Sequence, residues 1–188
     1  VVDKDGNNVF TMDKNKQPQG LFSQAIAGLL KTTPDFLSFY APHSNSYRRL
    51  VHNADHAPTT LSWGNENRTA LIRLPEASAE ATRLEFRVAS ADSNPYLVFA
   101  SVLASVYAGI QGKLKHDKET IGNAHAQHPP SLGVTWREAV EKTSVSSIVK
   151  DFFGEQFQQC YKCVKESEIK RFESTITDFE YHSYLRCL

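Results

Sequence analysis

The chain has 188 residues, 40% of them hydrophobic and 11% aromatic, which suits one domain with a real core. Its 21 Lys and Arg balance 21 Asp and Glu, and a formal net charge of zero argues against a non-specific binder of nucleic acid or of a membrane surface. No apolar run is long enough to span a bilayer, no signal-peptide pattern opens the chain, and three cysteines make no even extracellular framework, so a cytoplasmic setting is expected.

Val1 to Phe10 reads as a strand end and a turn, with Asp5-Gly6-Asn7 at the bend. Asp3-x-Asp5 has the opening of a calcium loop, but the twelfth position is Lys14 and not a bidentate acid. Because Val1 is no initiator and Met12 is the only methionine, the sequence is expected to begin inside something longer, or to be processed or trimmed. Leu21 to Lys31 predicts a short apolar helix in which Gly28 allows a close approach and which Pro34 limits. Ala41 to Pro58 has no hydrophobic period and reads as a long loop, a kind of segment that is usually functional or disordered. Within it, Asn45-Ser46 makes a turn before Arg48-Arg49, so that one arginine would point into a cleft and the other outward.

Thr59–Trp63, Ala70–Leu74 and Arg83–Val88 read as three strands separated by turn residues. Asn94-Pro95 predicts a helix start that runs to about Lys113, with small residues along it for tight packing against a sheet. A polar loop from His116 to Leu132 carries His116, His125 and His128; a solvated loop is preferred there over a metal site. Thr135 or Ser131 would cap a helix over Trp136–Lys142. From Ser146 onward the pattern is amphipathic and helical, with Phe152, Phe153, Phe157, Tyr161, Val164, Ile169, Phe172 and Ile176 at helical spacing. Cys160-x-x-Cys163 falls mid-helix without a second cysteine pair, and half-buried structural thiols are expected. Trp63 and Trp136 are expected in the core or an interface.

Arg83-Leu84-Glu85-Phe86-Arg87 carries the most chemistry. As a strand it sends Leu84, Phe86 and Val88 into a core and lines Arg83, Glu85 and Arg87 along the other face. Two cations around one carboxylate suit a metal-bound polyanion, with Glu85 on the cation and guanidinium forks on oxyanions; an ordinary solvent-facing ion-pair ladder is the competing possibility. Between Thr32 and Gly112 the basic side chains other than histidine are Arg48, Arg49, Arg68, Arg73, Arg83 and Arg87, and lysine is absent. Such exclusive use of arginine favours planar, bidentate contacts to oxyanions.

Five linked motifs, in order and spacing, resemble the glutamine synthetase family. They are Asn45-Ser46-Tyr47-Arg48-Arg49-Leu50, Trp63-Gly64-x-x-Asn67-Arg68-Thr69, Ile72-Arg73-Leu74-Pro75, Thr82-Arg83-Leu84-Glu85-Phe86-Arg87 and Asn94-Pro95-Tyr96-Leu97. The resemblance extends over essentially the whole chain. Phe153-Gly154-Glu155-x-Phe157 and Thr177-Asp178-Phe179-Glu180-Tyr181 look like the γ-glutamylpolyamine (γ-glutamylputrescine) synthetase branch.

The resemblance implies an α+β fold, an antiparallel sheet flanked by helices with a helical last third, corresponding over residues 1–188 to the C-terminal portion of a catalytic domain. It implies an enzyme that phosphorylates the γ-carboxylate of glutamate with ATP and lets ammonia or an amine displace the phosphate. Arg49 would hold the glutamate or the reacting phosphoryl group; Arg68, Arg73 and Arg83 would contact ATP phosphates. Glu85 would ligate Mg2+ or Mn2+, and Arg87 would hold the substrate carboxylate. Where many members have Pro-Gly-x-Glu-Ala-Pro, this chain has His52-Asn53-Ala54-Asp55-His56-Ala57-Pro58, so Asp55 or His56 would deprotonate the amine. The family's His-x-His-x-Ser segment, its other metal-binding glutamates and its N-terminal β-grasp domain are not in this sequence, and family sites form between subunits of a homo-oligomeric ring. The 188 residues alone are therefore expected to be inactive. An ammonia-using glutamine synthetase and a non-catalytic ring protein of the same fold are the alternatives; a nucleic-acid module is disfavoured by the zero net charge.

Overall fold

One helix organises the molecule. In the computed structural model, which describes residues 1–51, 57–185 and 187, α1 runs over Gly20–Tyr40. It follows a small antiparallel pair, β1 (Thr11–Met12) and β2 (Pro18–Gln19). The expected bend at Gly6 is present, with φ of +84° and a bridge between Val2 and Asn8.

Pro34 does not end α1, as the sequence led one to expect; the helix continues to Tyr40. An interior proline costs a helix about 3 kcal/mol. Phe36, Leu37, Phe39 and Tyr40, beyond it, are at most 2% exposed, and each buried side chain of this size is worth roughly 1.5–3 kcal/mol. Packing wins over local propensity.

Asn94 caps α3 (Pro95–Gln111) as expected, its Oδ1 accepting from the Tyr96 amide at 2.9 Å. The small residues of α3 pack against α1 and not against a sheet. Gly28 and Gly109 meet backbone to backbone, and the Thr32 hydroxyl donates to Ser105 Oγ at 2.6 Å. On another side α1 meets α5 (Trp136–Val145), where Ser38 Oγ donates to Thr143 Oγ1 at 2.9 Å. Thr135, not Ser131, caps α5, in a reciprocal pair with Glu138.

α6 (Ser147–Phe153) and α7 (Glu155–Glu173) close an aromatic cluster in which Phe39 lies 5.2 Å from Phe153 and 4.6 Å, edge-on, from Tyr161. Phe153, Phe157, Tyr161 and Ile169 reach the core; Phe152, Val164, Phe172 and Ile176 of the same expected stripe are exposed. Cys160 and Cys163 are exposed rather than half-buried. α8 (Asp178–Tyr184) buries no residue. No helix among the described residues is long and apolar enough to cross a membrane.

Two expected loops contain short helices, α2 (Ser44–Arg49) and α4 (Ala124–Gln127). Of the three expected strands, the first is displaced, β3 (Trp63–Asn65) sharing only Trp63 with the expected Thr59–Trp63, and the other two exist in trimmed form, β4 (Ile72–Leu74) and β5 (Glu85–Phe86). The α+β class holds, and the sheet is mixed. β4 pairs antiparallel with β5, but parallel with β3, because the chain between Asn65 and Ile72 loops back instead of forming a hairpin.

The histidine loop is not solvated throughout. His125 is 9% exposed and bonds Thr59, and His128 Nε2 bonds Thr120 at 2.8 Å. Asn67 ties this loop to the sheet. Its Nδ2 donates to the carbonyls of Thr120 and Gly122, both at 2.8 Å, and its Oδ1 accepts from the Thr69 amide. Asn67→Ala removes three partners of a buried amide and is expected to cost about 2 kcal/mol. Chemical denaturation checks this, with Asn65→Ala, at the strand's edge, costing less.

Candidate functional site

Register creates the site. β4 and β5 set Arg73 opposite Glu85, and directly opposed residues share a face. Arg73 Nη1 lies 2.9 Å from Glu85 Oε2 and its Nη2 2.7 Å from Glu66 Oε2. Arg87 Nε lies 3.1 Å from Glu85 Oε1. The second cation on Glu85 is therefore Arg73, from the neighbouring strand, and not Arg83 as expected. Arg83 stands just before β5, exposed, and donates to the Ala81 carbonyl. Leu84, Phe86 and Val88 do face the core.

Main-chain carbonyls hold the guanidiniums of Arg87 and Arg49. Arg87 Nη1 donates to the carbonyls of Arg68 and Ala70. Arg49, at the end of α2, donates from Nη2 to the carbonyl of Val88 and lies 3.4 Å from Ser90 Oγ. Arg48 is exposed, so the adjacent arginines do point opposite ways. Arg68 is exposed, close enough to oppose the charge of Arg87.

The electrostatics favour an incoming anion. Desolvation lowers the proton affinity of Arg87, and nearby Arg73 and Arg68 lower it further against the pull of Glu85. Desolvation does the same at Arg49, where Asp92 opposes it and Arg87 adds to it. The hydrogen bond to Glu66 raises Arg73 and lowers Glu66. Glu66 holds φ at +50°, a conformation that costs a non-glycine residue about 1–2 kcal/mol. Its amide donates to the Leu74 carbonyl and its carboxylate accepts from the Glu76 amide. Beside Glu66 opens a cleft of about 600 Å³, lined by Asn8, Phe10, Lys16, Glu76 and Thr82 among others.

Sequence reasoning missed Glu66 and Asp92, and quoted Asn67 in a motif without giving it a role. Glu66 occupies an unspecified position of Trp-Gly-x-x-Asn-Arg-Thr, and its role needs the fold of β3 onto β4. Asp92 anchors α2: it accepts from Ser46 Oγ at 3.1 Å and lies 3.2 Å from His43 Nδ1. Partial burial works against its charge, yet hydrogen bonds from His43 and Ser46 bring it below the ordinary 3.8. A depressed carboxylate stabilises fully above the ordinary value and loses that contribution as pH falls through the folded value. Acidification below 3.8 is thus expected to lower the protection of the α2 amides relative to their intrinsic exchange rates, a step that Asp92→Asn should abolish. Asp55 and His56 lie outside the described residues.

The profile of the glutamine synthetase catalytic domain matches residues 1–184. The chain belongs to the glutamine synthetase family. It is 33% identical over 175 residues to gamma-glutamylputrescine synthetase of Escherichia coli, covering 93% of this chain and 37% of that protein. It is 34% identical over 191 residues to type-1 glutamine synthetase 2 of Dictyostelium discoideum, covering 98% and 36%. Gamma-glutamylethanolamide synthetase of Streptomyces coelicolor is 32% identical over 180 residues, covering 96% and 38%. The chain thus spans well under half the length of these glutamine synthetase relatives.

A divalent cation fits this site only in part. Glu85 offers a hard oxygen donor whose side chain is 44% exposed. Among the described residues, however, no three His, Cys, Asp or Glu side chains gather around a common point. Glu85 alone does not make a metal site.

Proposed function

We propose that the chain is the C-terminal portion of the catalytic domain of an ATP-dependent ligase that joins glutamate to an amine through γ-glutamyl phosphate. The observation that carries this reading is the Arg73–Glu85–Arg87 array, with Arg49 beyond it and the cleft on its Glu66 side. Phosphoryl transfer asks a protein mainly for positioning and charge neutralisation, and guanidiniums fixed on carboxylates (Arg73) and main-chain carbonyls (Arg87, Arg49) provide both.

Arg68, Arg73 and Arg83 would meet the phosphates of ATP, whose nucleoside the neighbouring cleft is large enough to hold. Arg73 and Arg87 are both bound to Glu85, so an entering polyanion would exchange carboxylate partners for phosphate or substrate oxygens. That exchange would also relieve the repulsion among Arg68, Arg73 and Arg87. Arg87 would take the substrate carboxylate, and Arg49 the glutamate or the reacting phosphoryl group. Glu85 would offer one oxygen to Mg2+ or Mn2+, with the remaining ligands supplied from outside this sequence. Asp55 or His56 would receive the amine's proton. The assembly would be a homo-oligomeric ring in the cytoplasm, and the 188 residues alone would turn over no ATP.

An amine acceptor is supported by the relatives named for putrescine and ethanolamide products. Ammonia is the second reading, supported by similar identity to the glutamine synthetases of Dictyostelium discoideum and Methanosarcina mazei. A non-catalytic ring protein has the kept arginines and Glu85 against it. The experiment is phosphate release by the intact protein with ATP, glutamate and one of ammonia, putrescine, spermidine or ethylamine. Turnover with putrescine or spermidine well above that with ammonia is expected. Preference for ammonia selects the second reading, and no turnover with any of the four overturns the ligase assignment.

A further inference from the structure

Cys160 and Cys163 take no part in the arginine site. Both are exposed free thiols. Helix α7 turns Gln158, Lys165 and Ile169 inward and packs Tyr161 on Phe39. At 3.6 residues per turn, Cys160, Cys163 and Ser167 then share the opposite, outer face. A shallow groove lined by Val164, Ser167, Glu168 and Arg171 runs up to Cys163 and leaves it approachable.

The spacing decides what such a pair does. Residues three apart on a helix hold their Cβ atoms about 5–6 Å apart. A disulfide needs roughly 3.5–4.5 Å, so closing one would distort a helix that runs unbroken from Glu155 to Glu173. A cation bound linearly by two sulfurs needs them about twice a metal–thiolate bond of ~2.3 Å apart, or roughly 4.6 Å, a separation that suits side chains rooted about 5–6 Å apart on one helix face. A tetrahedral zinc site needs further ligands, and none gather here among the described residues. Paired soft thiolates without other donors select a soft cation of low coordination number.

We propose that Cys160 and Cys163 form a dithiolate site for a soft, two-coordinate monovalent cation, of which Cu(I) is the type. On binding, each thiol releases its proton and two sulfur–copper bonds form. No electron is transferred, and the complex carries one negative charge.

The test is differential alkylation of the intact protein, anaerobically, with and without one equivalent of Cu(I) held by a weak competing chelator. Lys162 lies between the two cysteines, so trypsin places them on separate peptides. Cu(I) is expected to protect both peptides and to leave Cys187 reactive. Cys160→Ser, a change on an exposed face, should abolish protection of Cys163 and weaken binding on the order of 100-fold, the loss of a second tethered ligand. Phenylarsine oxide gives a second readout on the unmutated protein: it condenses with two thiols, releases one water and should bridge these two peptides. Protection of Cys163 surviving in Cys160→Ser, equal protection or bridging of Cys187, or no protection and no bridge, each overturns the proposal.

Discussion

Gly28→Ala is expected to cost about 3 kcal/mol, or roughly 6–12 °C of melting temperature in a domain of this size. The added methyl would collide with the Ser105 carbonyl, and would lie 2.9 Å from Gly109 Cα and 3.0 Å from Gly109 N. All three atoms are main chain within α3, so no side chain can swing away; the helices must part. Parting them would also stretch the Thr32–Ser105 hydrogen bond and open space along a face that includes Ala25 and Ala104. Gly133→Ala is the control, since its methyl would meet only ordinary contacts at 3.7 and 3.8 Å. Thermal denaturation of both variants of the intact protein checks this; equal melting temperatures would show that the α1–α3 contact is not closely packed.

Under the proposed ligase function, Arg87→Ala is expected to lower kcat/KM of the intact protein on the order of 10²–10³-fold, as removal of one fixed donor to a charged group does elsewhere. Arg87→Lys should rescue little, because an ammonium cannot reproduce a fork that reaches Glu85 and the Arg68 and Ala70 carbonyls together. The same change leaves the Ala70 carbonyl short of a donor in a buried place, so a stability loss of about 1–2 kcal/mol accompanies it. The two effects separate by experiment. A structural arginine would lose activity only in proportion to the unfolded fraction, whereas a substrate-binding one loses kcat/KM at temperatures where the protein is fully folded. Arg48→Ala, on the exposed neighbour of Arg49, should change neither quantity.

Much of this architecture was legible where local chemistry alone decides. Asn94 and Thr135 announce their helices because a side-chain acceptor beside orphan amides is a short-range device. The inward row Leu84, Phe86 and Val88 follows from a strand's two-residue period. Gly28 marks a close approach, while the small residues of α3 meet its helix, α1, and not the expected sheet. Errors arise where distant residues decide. Pro34 is overridden by Phe36, Leu37 and Phe39, whose burial depends on α5, α6 and α7. Arg83 looked like a partner of Glu85 from within one strand, but the partner is Arg73, reached only through strand pairing. α2 has no hydrophobic period to reveal it, since Asp92, Ser90 and the Val88 carbonyl hold it from outside. The cysteines were placed too deep because the inward face of α7 is set by Phe39 and Thr143, far away in sequence.

The pairing of Arg73 with Glu85 and of Ile72 with Phe86 also guards the register. A slip of β5 by one residue would bring Phe86 out and drive Glu85 towards Tyr40, the ring against which Phe86 now rests 5.2 Å away. A carboxylate driven into an apolar slot without a partner costs several kcal/mol. The charges that would greet a ligand thus also disfavour a slipped register of the sheet.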